Sequence, residues 1–596
     1  MLPPALQTAC DLLLAFAASL ATAALCFQYG FYRSPVNQEW LHCAEWVVLG
    51  LFLLNRLIGL AGASERRQFL HENWFDMLVV LGSAGAAIVT WGDPLQYQAV
   101  AVGNIYVIIT LLYLLAGWAI QLALDKLSPG RVLFIWAISL ICLLLLAAGL
   151  LLLPKAAPKD AGLSFTNALF TAATAACNTG LAVRDLSTDL TLFGQLIVLV
   201  TMQLGALAVV SLGALAVLLL GERLTSSSSP LLGVMSARGP LNILRLAVIY
   251  TFVLEAAGAA LMYPMFARYD PDSGIGLNVF RSIFHAVSAF SNTGLTLQSD
   301  NLQGLRHCWQ VIGVIGPLVV LGGLGVPVMH EIFRRLRPAN RAEGLSLHTK
   351  LVLVTVAAVI VIGSSILMWN EGHSYPGETF GAALSYQDNP GRAAPGKALA
   401  KLPLAEQVRE SAFEVTARTT GFTTTDTNAL SDGGKMLMIG YAFIGGCPGG
   451  LGGGIKVGIF AVLCLNLYHS LRGRTTVRAF GSAISWNMVR IASAAALAQV
   501  VLVLADGLLV SMFMTGQRLS TTGQPAKFLD LFMDANSACC NSGVSCGLTS
   551  SLNESALLVL IGGMIVGRFL CLAVVAMILQ SPRHEEQPAQ NQVVLL

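Results

Sequence analysis

Four short stretches recur along the chain, each a helix-compatible run rich in Ala, Ser and Thr that ends in Gly after a Thr or Ser. They are Thr171–Leu181 (TAATAACNTGL), Phe284–Leu295 (FHAVSAFSNTGL), Phe413–Phe422 (FEVTARTTGF) and Phe532–Val544 (FMDANSACCNSGV). The chemistry they support is non-covalent. A half-helix that stops at glycine and returns as extended backbone offers a strip of carbonyl oxygens. Four such strips converging on one axis can replace the water around a monovalent cation. Gly180, Gly294, Gly421 and Gly543 suit that task, because glycine alone reaches positive φ freely and lets backbone approach an ion without a Cβ in the way. The C-terminal ends of the short helices add partial negative charge. One copy alone reads as an ordinary glycine C-cap; four in matching context read as a ring.

A second stretch, Ile444–Phe460 (IGGCPGGLGGGIKVGIF), holds seven glycines between Gly445 and Gly454, with Pro448 among them. Each glycine weakens a helix by about 1 kcal/mol and proline by about 3 kcal/mol, so the run cannot stay helical although apolar runs flank it. Irregular backbone at membrane depth is tolerated only where protein covers it or it lines a water-filled path. Beneath a ring of carbonyls such a loop is a gate. Lys456 at its end either caps carbonyls or repels cations, and Arg568, inside the last apolar run, is expected to face the same constriction. A phosphate-binding loop is excluded, since GxxxxGK[ST] must open a helix after a strand and here Val457 follows Lys456.

The elements that carry these stretches are membrane helices. Of 596 residues 55 % are hydrophobic and 11 % charged, with mean hydropathy +0.70, which excludes a soluble domain. A net charge of +3 scattered between apolar runs excludes a nucleic-acid partner. The twelve cysteines show no metal-ligand spacing and read as buried thiols, the vicinal Cys539-Cys540 pair included. No cleavable leader is expected, so the first apolar run stays as a helix. Four runs, Cys10–Phe31, His42–Leu60, Phe75–Trp91 and Ala101–Leu124, are each long enough to cross a bilayer. The fourth lacks arginine, so no voltage sensing is expected, and Arg56, Glu72 and Asp76 read as pairing groups.

From Arg131 onward a unit repeats: outer helix, short re-entrant helix with the glycine motif, second helix. The expected fold is an all-α membrane protein with four helix–re-entrant pore helix–helix repeats around a pseudo-fourfold pore, preceded by four extra transmembrane helices. Boundaries fall at 1–127 for the extension, 128–235, 236–345, 346–480 and 481–580 for the repeats, and 581–596 for a short cytoplasmic tail. Second helices are expected over Leu192–Leu220, Val311–Phe333, Met436–Tyr468 and Ser555–Leu579. Basic residues, among them Arg66-Arg67, Lys126, Arg131, Arg223, Arg238, Arg334–Arg341 and Arg472–Arg478, fall on one side, which makes that side and both termini cytoplasmic. Asp185, Asp189, Asp270, Asp272, Asp300, Asp426 and Asp432 fall on the other and would concentrate cations. The outer segment Glu371–Lys401 reads as an irregular insertion.

These features together resemble the Trk/Ktr/HKT superfamily of potassium transporters, and within it the bacterial Trk-type membrane subunit, over about residues 131 to 580. The resemblance rests on the four glycine motifs, GGGIKV, Gln203-Leu204-Gly205, GGLGVP at Gly322–Pro327, and Gly567-Arg568. It implies a K⁺ filter formed by Cys177, Asn178, Thr179 and Gly180; Ser291, Asn292, Thr293 and Gly294; Thr419, Thr420 and Gly421; and Cys540, Asn541, Ser542 and Gly543. It implies a gate built from Gly445, Gly446, Gly449, Gly450, Gly452, Gly453, Gly454 and Lys456, with Arg568 as its partner across the pore. Glycine in all four copies is the pattern the family associates with K⁺ preference. Cysteines in two filter copies, Pro448-Gly449-Gly450-Leu451 in the loop, and the four leading helices depart from the family pattern.

The resemblance also implies a homodimer in the cell inner membrane with a separate cytosolic nucleotide-binding regulatory subunit. No organic cofactor is expected on this chain, and K⁺ would be the ion in the filter. A Na⁺-permeable or Na⁺-coupled transporter, the K⁺-binding subunit of a pump, and an intramembrane enzyme remain alternatives. Against the enzyme, Glu255 and His285 are isolated, and His285 reads as a packing histidine. Glu414 and Arg418 are spaced to pair at i, i+4 and brace the third short helix.

Overall fold

The computed structural model describes residues 4–63, 65–90, 100–108, 110, 129–159, 162–224, 240–336, 344–374, 399, 402–517 and 525–580. Most of the outer insertion, the fourth leading run beyond Thr110, Lys126, Arg238, Arg341 and the C-terminal tail lie outside them. Among the described residues, seven helices are long and apolar enough to cross a membrane. The chain divides into two compact units.

The first unit gathers residues 1–128 with Leu150–Gly162 and Thr191–Gly194. Helices α1 (Pro4–Tyr29), α2 (Gln38–Gly62) and α3 (Arg66–Val89) pack through Leu14, Ala18, Ala21, Leu49, Phe52 and Val80. Of the three expected pairing groups, Arg56 meets Asp76 at 2.5 Å and the Tyr106 hydroxyl donates to the same carboxylate, while the Glu72 side chain lies outside the described residues.

The second unit holds the glycine motifs. Each follows a short buried helix: α5 (Phe165–Ala176), α8 (Gly274–Phe290), α12 (Leu404–Thr416) and α16 (Phe528–Cys540). Small Ala, Ser and Thr side chains let these helices sit deep among the longer ones, and the Ser164 hydroxyl caps α5 by accepting from Asn167 N. The longer helices are α4 (Pro129–Leu151), α6 (Leu192–Leu224), α7 (Pro240–Tyr269), α11 (Leu347–Ser374), α15 (Trp486–Met514) and α17 (Glu554–Gln580). Three glycines predicted at the second helices mark where these pack closest onto a short helix's last carbonyls. A Cβ on Gly205 would collide with Ala176 O, on Gly322 with Phe290 O, and on Gly567 with Cys539 O.

Three expectations need correction. The run Val311–Phe333 is not one straight crossing: it bends by 110° between Val311–Leu324 and Val326–Arg335, the stretches of α9 (Gly316–Leu324) and α10 (Val326–Leu336). Gly325 takes φ 77° there, and Pro327 cannot donate to a continuous helix. The chain is not wholly helical either. After α13 (Asp432–Phe443) and α14 (Val457–Leu471), strands β1 (Val477–Ala479) and β2 (Ser482–Ile484) form a hairpin, with Phe480 and Gly481 both at positive φ in the two-residue turn. Finally, Glu414 and Arg418 do not brace α12 by pairing; each bonds elsewhere, as described below.

Candidate functional site

The four glycine turns come together, although their sequences lie more than a hundred residues apart. A Cβ on Gly421 would stand 2.7 Å from Gly180 O and 3.1 Å from Gly294 O, and one on Gly543 would stand 2.5 Å from Gly421 N. A Cβ on Gly180 would collide with Thr293 O. In three turns the amide of the residue before the glycine folds back onto its own short helix: Thr179 N to Thr174 O at 2.9 Å, Thr293 N to Ser288 O at 3.0 Å, Ser542 N to Ser537 O at 3.0 Å. This turns the carbonyl side of each strip away from its helix. Two oxygens of the four turns have protein donors of their own. Gly421 N donates to Thr293 O at 3.0 Å, and Asn301 Nδ2 donates to Gly421 O at 2.8 Å.

Gly421 itself departs from the sequence argument. Gly180, Gly294 and Gly543 sit at φ 101°, 81° and 72°, but Gly421 is not in the positive-φ region. Its third-copy turn runs through a 3₁₀ step at Ala417–Thr419 into an extended Thr420, so glycine is required there for space rather than for backbone freedom.

The asparagine side chains of the turns do a different task from their carbonyls. Asn178, Asn292 and Asn541 are fully buried in left-handed conformation at φ 49°, 57° and 46°. Each donates through Nδ2 to the helix behind it: to Met202 O, Val319 O and Met564 O, all at 3.0 Å. Each also joins a neighbouring turn. Asn541 donates to Thr179 Oγ1 at 2.9 Å, Asn178 to Thr293 Oγ1 at 3.0 Å, and Asn292 Oδ1 accepts from Thr419 Oγ1 at 2.8 Å. A belt of side chains thus ties the fourth turn to the first, the first to the second and the second to the third.

A further polar group on each short helix steadies the strand leaving its turn. Thr174 Oγ1 accepts from Gly180 N at 2.9 Å. His285, wholly buried against Phe266, bonds Arg281 O through Nδ1 and accepts weakly from Leu297 N at 3.4 Å, so it is a satisfied packing histidine that also braces. Asp534 accepts from Thr549 Oγ1 at 2.7 Å. Glu414 Oε1 accepts from Thr423 Oγ1, from the amides of Thr424 and Thr425, and from both their hydroxyls, at 2.8 to 3.2 Å. Sequence reading missed Thr174, Asp534 and Asn301, although Thr174 stands six residues before its glycine, as Ser288 and Ser537 do, and Asp534 nine before, as His285 does.

The glycine-rich run is non-helical between α13 and α14, as its composition requires. Its two arms pair with each other, Gly445 N to Ile455 O at 2.9 Å and Gly446 N to Gly453 O at 3.1 Å. Its tip docks on the α9–α10 break, where Cys447 N donates to Gly323 O at 2.8 Å and Leu451 N to Gly322 O at 3.0 Å. Those carbonyls have lost helical partners at the bend and are satisfied by the loop. Lys456 caps carbonyls of its own loop, donating to Gly452 O at 2.8 Å. The loop reaches the turns as well: a Cβ on Gly453 would strike Cys540 O and lie 2.8 Å from Asn541 Cβ.

A family model described as "TrkH: Cation transport protein" matches residues 145–586. The chain belongs to the TrkH family of cation transport proteins. The Ktr system potassium uptake protein B of Vibrio alginolyticus is 29 % identical over 447 residues, covering 74 % of this chain and 90 % of that protein. The potassium/sodium uptake protein NtpJ of Enterococcus hirae is 27 % identical over 466 residues, covering 77 % and 95 %. The crystal structure of the potassium transporter TrkH from Vibrio parahaemolyticus matches with a TM-score of 0.55 over 86 % of this chain and 97 % of that one, at 17 % identity, a likeness of fold.

In this TrkH-family chain, a multi-pass membrane protein, Arg568 was expected to partner the loop. Its hydrogen-bond partner among the described residues is Asn178 Oδ1, at 3.4 Å, so it backs the first turn. On the other side of the turns lies a cavity of about 660 Å³ with Gly180 and Gly294 in its wall and Asp185, Asp189 and Glu554 around it. Two of the seven predicted mouth aspartates line this cavity; Asp270 is instead paired with Arg281 at 2.8 Å. Burial alone would raise the Asp185 carboxyl. Hydrogen bonds from the Ser187 hydroxyl and amide, and from Ser299 and Thr188, outweigh it and hold the group below the usual carboxylate range.

Proposed function

We propose that the chain is a potassium-uptake pore of the cell membrane, in which the four glycine turns dehydrate K⁺ with peptide oxygens and the loop Gly445–Gly454 gates the path beneath them. The observation that carries this reading is the meeting of Gly180, Gly294, Gly421 and Gly543 at one place from four distant parts of the chain. Converging helix C-termini and the peptide oxygens of the turns suit a bare monovalent cation. Passage of an ion requires Gly421 N to part from Thr293 O, which frees that oxygen for coordination. The relatives' names, potassium uptake protein B and potassium/sodium uptake protein, support the ion class. Glycine in all four turns favours K⁺; a Na⁺-permeable pore is the second reading, favoured by the name of NtpJ.

In this proposal α5, α8, α12 and α16 are re-entrant pore helices of four repeats around a pseudo-fourfold axis. The exposed Arg66, Arg67, Arg472, Arg474 and Arg478 face the cytoplasm together with both termini. The chain works as a homodimer in the inner membrane, and a separate nucleotide-binding subunit docks on the basic cytoplasmic loops. The test is uptake into K⁺-starved cells lacking their own transporters. Gly294→Ser is expected to lower K⁺ over Na⁺ discrimination, and deletion of residues 449–453 to produce a leak; unaltered transport in both discredits the site.

A further inference from the structure

The belt of asparagine bonds joins the fourth turn to the first, the first to the second and the second to the third, and the asparagine pattern stops there. The third copy has Thr419 where the others have asparagine, and Thr419 is already spent on Asn292. The third and fourth turns touch directly at Gly421 and Gly543, and behind that contact the glycine-rich loop bridges them. Arg418, at the position of Cys177, Ser291 and Cys540, is buried to 5 % exposure. It donates through Nε to Ile444 O at 3.0 Å, where the loop begins, and through Nη1 to Val415 O at 3.1 Å on its own short helix. From Ile444 the paired arms lead to Gly453, which packs directly on Cys540 O of the fourth turn.

We propose that the loop is itself the fourth link of the belt, and that Arg418 is the positioning residue through which the loop's place sets the width of the filter. The inference rests on the filter-and-gate reading above and adds that gate and filter are one mechanical unit. A guanidinium suits the task because its planar fork holds two carbonyls at once. When the loop leaves, the third and fourth turns keep only their contact at Gly421 and Gly543 and lose the bridge behind it. A displaced loop therefore yields a wider, less selective path as well as an open one.

The test measures K⁺ and Na⁺ uptake for Arg418→Gln, for Gly453→Ala, for deletion of residues 449–453, and for Arg418→Gln combined with the deletion. Arg418→Gln is expected to lower the K⁺/Na⁺ uptake ratio by about threefold or more, as contacting residues couple on that scale. Gly453→Ala, which leaves Arg418 untouched but forces the loop off Cys540, is expected to do the same. The double variant should be no less selective than the deletion alone. Additive losses in the double variant overturn the proposal, as does a wild-type ratio for Arg418→Gln protein present at normal level in the membrane. Should that variant fail to reach the membrane, a wild-type ratio for Gly453→Ala overturns it. If the deletion and Gly294→Ser are both silent, it is the filter-and-gate reading that fails instead.

Discussion

Asn178 and Thr293 stand 115 residues apart in sequence, yet Asn178 Nδ2 donates to Thr293 Oγ1 at 3.0 Å, joining the first turn to the second. The same nitrogen serves Met202 O. One amide thus fixes a turn both to the helix behind it and to the turn beside it.

Replacing Asn178 by Leu leaves Met202 O and Thr293 Oγ1 without that donor in a buried place. The expected cost is about 1–3 kcal/mol, read as a lower midpoint of thermal unfolding in detergent, with reduced K⁺ over Na⁺ discrimination. An unchanged midpoint would remove the belt from the account of the filter.

Gly180→Ala and Gly421→Ala separate two reasons for glycine. At Gly180 the methyl meets both a positive φ and the Thr293 carbonyl, so K⁺ uptake should be abolished. At Gly421 no positive φ is involved and the nearest oxygen is 2.7 Å from the added carbon, so partial uptake should survive. Complementation of a K⁺-requiring strain reads both. Equal loss would mean that crowding alone governs the ring.

Glu414 accepts from three consecutive threonines, so Glu414→Leu strands several donors at once while Glu414→Gln keeps an acceptor. The leucine variant should be destabilised by about 2 kcal/mol or more and the glutamine variant by about half as much, given the cost of unsatisfied buried donors. Equal midpoints for the two would show that the carbonyl-type oxygen is not what organises residues 423–425.

Asp185 predicts a pH signature. Because hydrogen bonds hold its folded pKa below the ordinary carboxylate range, it stays charged at the cavity through neutral and mildly acidic pH. Its contribution to folding stability is present above the unfolded pKa and is lost as pH falls through the lower folded one. Asp185→Asn should raise half-saturating K⁺ by about two- to fivefold at low ionic strength and by less at high salt, with the maximal rate spared. An effect that ignores salt would rule out attraction of cations by charge.

Much of this architecture was written plainly in composition. Gly180, Gly294 and Gly543 announced turns that take positive φ, and seven glycines with a proline announced a run that no helix holds. Gly421 was legible as a member of the set but not in its reason, because space is a property of neighbours that arrive from distant parts of the chain. Arg568 illustrates the same limit: its position inside an apolar run marked it, but its partner, Asn178, lies 390 residues away. Glu414 and Arg418 had the spacing of a helical pair, yet closer donors and acceptors outside α12 won both. The bend at Gly325 had a sequence sign in GGLGVP, whose three glycines and proline weaken a helix, but the run was read by its overall apolar length as one crossing.

The docking of Cys447 N and Leu451 N on Gly323 O and Gly322 O carries a genetic corollary. A loop that borrows its acceptors from a fractured helix cannot be tuned alone, since every change in its tip alters the match to the fracture. Strains selected to regain growth after a damaging loop substitution should carry compensating changes between Gly322 and Pro327 more often than anywhere else along the chain.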